Sequence, residues 1–222
     1  MKCTHAVGGR TWWSVAVLAA VAMSAPAAAQ SPPPDVRAAA EQGLGNFLRT
    51  SQARSLANPA FGGGAPEVTG ATVGNGFQIF TVPSDRLLNT TETDLRVLAV
   101  PTSLWEFLVV GADGPRGVLT VDRVNGTWTA VSLGAAGLAE QLTALADAWP
   151  ASTYQMRFIR VYQASAELME ITQAGRVIGV VPFVSARVAL ESSPAFDPND
   201  VWSPADVVSK LRPIVKRTLG RQ

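Results

Sequence analysis

The 222-residue sequence predicts an α+β domain, an antiparallel β-sheet of about seven to nine strands packed with two or three helices. Three observations carry that reading. Residues 104–110, 118–124 and 127–133 are consecutive β-rich runs. Asn125-Gly126 separates the last two, and suits a type I′ hairpin because both turn positions need φ > 0. The strongest helical pattern, 135–149, follows at once, so an antiparallel meander with an amphipathic helix beside it forms the centre.

Taken from the start, residues 1–29 read as a secretory signal peptide. Lys2, His5 and Arg10 make a positive n-region, residues 12–23 a short apolar core, and Ala27-Ala28-Ala29 a small-residue cleavage site before Gln30. The apolar run is too short to span a bilayer comfortably. Residues 30–222 are then expected as one exported domain with no transmembrane segment, located in the periplasm or outside the cell. Pro32-Pro33-Pro34 favours an extended leader. A helix is expected over 35–50, with Val36, Ala40, Leu44 and Phe47 on one face and Asp35 near its positive end. Gly43 and Gly45 count against it by about 1 kcal/mol each. Residues 51–76, rich in Gly and Pro, read as a flexible loop. It has no Lys-Ser/Thr after its glycines, which a phosphate-cradling loop requires.

Strands are expected at 77–82 and 95–100, the second ended by Pro101. The Asn125-Gly126 register sets Val124 opposite Thr127, Arg123 opposite Trp128, Val121 opposite Ala130 and Leu119 opposite Ser132. Both faces of the meander carry apolar side chains, so cover on both sides is expected. In the helix at 135–149, Leu138, Leu142, Leu145 and Trp149 form one stripe, stopped by Pro150. Residues 154–162 read as a long strand, 168–173 and 176–181 as a hairpin around Ala174-Gly175, and 185–190 as a final edge strand. Ser203 as N-cap, Pro204 at N1 and Asp206 at N3 announce a C-terminal helix over 203–219, interrupted by Pro213.

Composition narrows the chemistry. The formal net charge is +1, so no whole-protein field draws nucleic acid, and none is expected as a partner. The only Cys, Cys3, and the only His, His5, lie within the signal segment. The exported chain therefore has no disulfide, Cys nucleophile, Ser-His-Asp triad or Cys/His zinc site. Carboxylate chemistry is left. Glu92/Asp94, Glu167/Glu170 and Asp197/Asp200 are close in sequence, but a glycosidase needs two carboxylates at a fixed spacing across a cleft. Asp197-Pro-Asn-Asp200 offers oxygens for calcium without the spacing of a known loop. No catalytic residue, cofactor or metal ligand is assigned. The residues singled out for ligand or partner contact are Trp105, Trp128 and Trp202, as aromatic surfaces, and Lys210, Lys216 and Arg217, as cations facing an acidic partner or phospholipid headgroups.

The helix ending in Trp149-Pro150 and followed by strands resembles the small helix-plus-antiparallel-sheet modules of secreted bacterial proteins, such as PepSY-like domains. No residue roles carry over. The expected function is a non-enzymatic envelope or secreted binding module for a protein, peptide, lipid or other apolar ligand; the alternative is a carboxylate-dependent, glycosidase-like hydrolase. Convergent carboxylates in a deep cleft favour the enzyme, an apolar groove between helix and sheet the carrier.

Overall fold

The computed structural model describes residues 31–57 and 70–221. The expected signal segment and residues 58–69 of the expected Gly/Pro-rich loop lie outside the described residues. In chain order the elements are α1 (Pro34–Ala57), β1 (Thr72–Thr81), α2 (Ser84–Leu88), α3 (Leu95–Leu98), β2 (Val100–Gly111), β3 (Gly114–Val124), β4 (Thr127–Gly134), α4 (Ala136–Ala148), β5 (Gln155–Val161), a 3-10 turn (Tyr162–Ala164), β6 (Ala166–Gln173), β7 (Arg176–Pro182), α5 (Val184–Ala189) and α6 (Pro204–Leu219). No described helix is long and apolar enough to cross a membrane.

The seven strands form one sheet in the order β4-β3-β2-β1-β5-β6-β7. Every neighbouring pair is antiparallel except β1 and β5, which are parallel. The sheet is thus mixed, not wholly antiparallel as the sequence led us to expect. β4 ends at one edge, and α4 carries the chain back across one face, so β5 enters beside the central strand β1 in the same direction. Local alternation of side chains carries no signal for that return.

Both faces are covered. On one, Trp105, Phe107, Val109, Leu119 and Val121 meet Val36, Ala40 and Leu44 of α1. Farther along the same face, Ile159, Val161, Leu168 and Val180 meet α2, α3 and α6. The opposite face sets Leu108, Val118, Phe158 and Met169 against Ala139, Leu142 and Leu145 of α4. These are the stripe residues expected of that helix. Gly43, a liability for helix propensity, has a packing reason: a Cβ there would collide with the Ala130 side chain, so its absence lets α1 lie against β4.

Several elements differ from expectation. Residues 95–98 are helical, because Asp94 accepts the Arg96 backbone N–H at 2.8 Å and Leu95 and Leu98 bury together. Pro101 does not end a strand; it lies near the exposed start of β2, opposite Phe80. The run of residues 111–117, which by composition reads as a longer polar loop, is instead a tight β2–β3 join with Gly111 opposite Gly114. Residues 184–189 form α5 and not an edge strand: Pro182 ends β7, the Gln141 side chain accepts the Val184 N–H at 2.9 Å, and Ala186 and Leu190 bury one turn apart. The meander register holds from Val124–Thr127 to Val121–Ala130, then a bulge sets Leu119 opposite Leu133. Leu133 therefore joins the face of Leu119 and Val121. Three short helices, α2, α3 and α5, add to the long α1, α4 and α6. The helix α1 runs past the expected end at residue 50, and β1 begins before residue 77.

Candidate functional site

The concave surface of interest lies where the chain leaves α5, touches the β7 edge and enters α6. Its walls are Ser192, Val201, Trp202, Ser203, Asp206, Ser209 and Lys210, around a volume of about 500 Å³. Backbone pairing builds it. Val180 N donates to Trp202 O at 2.9 Å, and Trp202 N donates to Val180 O at 2.8 Å, so residue 202 is clamped to the sheet edge. The clamp depends on Gly179, since a Cβ there would stand 2.8 Å from Trp202 O. Ser203 then accepts the Asp206 N–H at 3.1 Å and caps α6 as its sequence announces.

Side chains fix the indole. Trp202 Nε1 donates to Asp200 Oδ2 at 3.0 Å. The same oxygen accepts from Arg187 Nη2, whose side chain is only 5% exposed and also donates to Pro182 O and Ser193 O. The Trp202 hydrogen bond and the Arg187 charge hold the Asp200 carboxyl below the usual range. Lys210 Nζ lies 5.9 Å from the Trp202 ring centroid, a cation–π arrangement. The result is an aromatic and cationic wall whose indole is held to the sheet edge by backbone and side-chain hydrogen bonds.

Of the six residues singled out from sequence, Trp202 and Lys210 come together here. Lys216 and Arg217 are exposed farther along α6. Trp105 is 3% exposed and stacks on Phe107 with centroids 6.4 Å apart, as a core residue. Trp128 is half-buried on the same face, with the Arg123 guanidinium 5.8 Å above its ring. The three tryptophans therefore make no common surface.

The carboxylate pairs read from sequence are separated. Glu92 Oε1 accepts the backbone N–H groups of Thr93 and Asp94, while Asp94 caps α3 and pairs with Arg96. Asp197 accepts from Asn199 N, and Asp200 belongs to Arg187 and Trp202. Glu167 and Glu170 sit three apart on β6 and so face opposite sides of the sheet. Among the described residues, no three His, Cys, Asp or Glu side chains gather to hold a metal ion.

The sequence reading missed two buried charge networks on β5. On the α4 face, Arg160 Nη2 reaches Glu106 at 2.7 Å and Glu167 at 2.6 Å, and Ser185 Oγ lies 3.2 Å from Glu167. Glu106 is 5% exposed at the side chain, and its Oε2 has no hydrogen-bond partner among the described residues. Burial pushes its carboxyl above the usual range, with Arg160 opposing. On the other face, Arg157 Nη2 lies 2.9 Å from Glu170 Oε2, too poorly aligned for a hydrogen bond, and its guanidinium sits 5.0 Å from the Phe80 ring centroid. Burial also raises Glu170. The signal was present: Glu106 interrupts the apolar run Trp105-Glu-Phe-Leu-Val-Val, and two arginines punctuate Phe158-Ile159.

Comparison with protein-family models, with curated proteins and with solved structures gave no match.

Proposed function

We propose that this chain is an exported envelope or secreted protein that acts as a non-enzymatic binding module, and that it takes a peptide or protein segment at the Trp202–Lys210 groove. The observation that carries this reading is the clamped wall of Trp202, Lys210 and the Ser203 cap. Its mixed lining suits a peptide with an acidic or aromatic side chain better than a fatty ligand. An apolar carrier has less support, because the apolar residues of α1, α4 and α6 pack into the sheet's own core clusters. The hydrolase alternative also has less support. The carboxylates with orphaned oxygens, Glu106 and Glu170, lie on opposite faces of the sheet, each held by its own arginine. Export rests on the n-region, apolar core and Ala27-x-Ala29 pattern.

The binding test is selection from a displayed random-peptide library, with counter-selection against Trp202→Ala/Lys210→Ala. Peptides that bind the wild type and lose affinity on the double variant by at least about 2 kcal/mol, the scale of an interface hot spot, support the site. Equal binding to both, or no enrichment, overturns it. N-terminal sequencing of periplasmic or secreted protein tests export separately: a mature chain starting at Gln30 is expected, and one starting at Met1 sinks the idea.

A further inference from the structure

After Asp206 the sequence contains Lys210, Arg212, Lys216, Arg217 and Arg221 and no acidic residue. Arg212 is used internally: it donates to the carbonyl oxygens of Leu87 at 3.0 Å, Thr90 at 3.0 Å and Glu92 at 2.6 Å, tying α6 to α2 and the loop after it. That tie and the buried Val207, Val208, Leu211 and Val215 fix which side of α6 faces outward. Outward lie Lys216, Arg217 and Arg221, all exposed. None forms an ion pair with a carboxylate among the described residues. Favourable placement at the helix C-terminus accounts for one or two cations in the last turn. It does not account for three at the end of a run free of carboxylates, in a chain whose overall charge is near balance.

Two further exposed side chains are carried by α6 and by the 3-10 turn packed against it. Leu219, on α6, is 38% exposed, and Tyr162, on the 3-10 turn, is 47% exposed. An exposed Tyr and an exposed aliphatic side chain on the elements that carry and support the basic cluster suit the boundary between headgroups and acyl chains, where amphipathic rings and cations settle together. Asp85 on α2 and Asp206 at the far end of α6 are the nearest acidic residues on these two helices. A folded acidic partner needs a surface shaped to match it. A fluid anionic surface needs only cations that reach one plane.

We infer that the C-terminal half of α6, through Lys216, Arg217 and Arg221, docks the protein on an anionic phospholipid surface. The Trp202–Lys210 groove lies toward the other end of the same helix, where it stays open to a peptide; in that respect the inference extends the binding-module reading. Each cation near such a surface contributes roughly fivefold in partitioning, so three contribute about a hundredfold, and salt screens the effect.

The test is vesicle co-sedimentation of the purified chain. The probe is phosphatidylcholine vesicles with about one-third phosphatidylglycerol, against phosphatidylcholine alone. Wild type is expected to bind the anionic vesicles, to bind the neutral ones at least tenfold more weakly, and to be released between about 0.05 M and about 0.5 M salt. Lys216→Gln/Arg217→Gln/Arg221→Gln is expected to lose about a hundredfold, while Arg116→Gln/Arg123→Gln, away from α6, binds as wild type. All variants share one N-terminus, so any contribution from residues 1–29 cancels. Urea melts of the triple variant that match wild type exclude unfolding as the cause. Equal binding by the triple variant, equal binding to neutral vesicles, or capture of polyglutamate in place of vesicles overturns the inference. Trp202→Ala is expected to leave vesicle binding unchanged. Vesicle binding without peptide selection leaves the inference standing and sinks the groove; peptide selection without vesicle binding does the reverse.

Discussion

Gly179→Ala probes the groove from the sheet side, without replacing any residue of its lining. The wild-type residue lies in β7 beside Val180, whose two backbone hydrogen bonds to Trp202 hold the groove against the sheet. An added Cβ would collide with Val201 Cγ1 and stand 2.8 Å from Trp202 O. The chain has two responses and takes the cheaper. Keeping the clamp means overpacking, which costs about 1–3 kcal/mol. Releasing residues 201–202 forfeits two hydrogen bonds at about 0.5–1.5 kcal/mol each. Alanine also restricts the unfolded chain, which offsets about 0.4–1 kcal/mol. A net loss of about 1–2 kcal/mol is therefore expected in a urea melt. The second readout is local: Trp202 emission, taken as the difference from a Trp202→Phe background, should shift to the red as the indole leaves Asp200. Gly137→Ala is the control. A Cβ at that exposed position of α4 meets nothing within 4 Å, so the change should be neutral or stabilise by up to about 1 kcal/mol. If Gly179→Ala melts with the wild type and its emission stays put, Trp202 is not clamped to β7 and the groove must be redrawn.

Gly126 has φ +86°, so Gly126→Val forces a β-branched residue into the left-handed region and should cost at least about 1–2 kcal/mol, while Asn125→Asp stays mild; equal urea midpoints for the two variants would contradict the type I′ turn. Leu142 is 1% exposed and Glu140 is exposed on the same helix, so Leu142→Ala should cost about 2–5 kcal/mol and Glu140→Ala no more than about 0.5 kcal/mol, as judged by the difference in their melts. Burial raises Glu106 and Glu170 above their unfolded values, so the folded state binds more protons than the unfolded chain; their contribution is full below the unfolded pKa of about 4.3 and is lost as pH rises through the folded values. Asp94, lowered chiefly by its Arg96 hydrogen bond, and Asp200 act the opposite way, losing their contribution as pH falls through their depressed values. Relative to wild type, Glu106→Gln/Glu170→Gln should therefore flatten any gain in urea midpoint on moving from neutral to mildly acidic pH; a slope identical to wild type would contradict the buried assignments.

What the sequence disclosed was local. Asn125-Gly126 and Ala174-Gly175 announce their hairpins because two successive residues must take positive φ, and they do, at 50° and 86° and at 48° and 78°. The α4 stripe and the Ser203 cap are legible for the same reason: each is written within one or two turns of chain. Residues 95–98 and 184–189 misled because Leu, Val and Ser in segments of four to six residues satisfy strand and helix alike, and tertiary burial decided. The bulge at Val131 has no marker, and it moved Leu133 to the other face. At the candidate site, Trp202 and Lys210 each drew notice as a residue type. Their meeting depends on the pairing of residue 202 with Val180, a contact that no periodicity encodes.

The charge networks of β5 account for the part of the topology that turn chemistry leaves open. Hairpins set the register of β3 with β4 and of β6 with β7, but no turn joins β1 to β5, and only Ile79, Phe80 and Thr81 pair there. A buried ion pair adds little net stability over apolar side chains of the same shape, so its use lies elsewhere. Arg157 stands directly opposite Glu170 and Arg160 opposite Glu167, on alternate faces of the β5–β6 pair. A slip of one residue would turn both carboxylates toward the wrong face and part them from the two half-buried arginines. Arg160 also spans β1 to reach Glu106 on β2, while Arg157 lies against Phe80 on β1. The two arginines thus tie β5 to both of its neighbours, one from each face of the sheet.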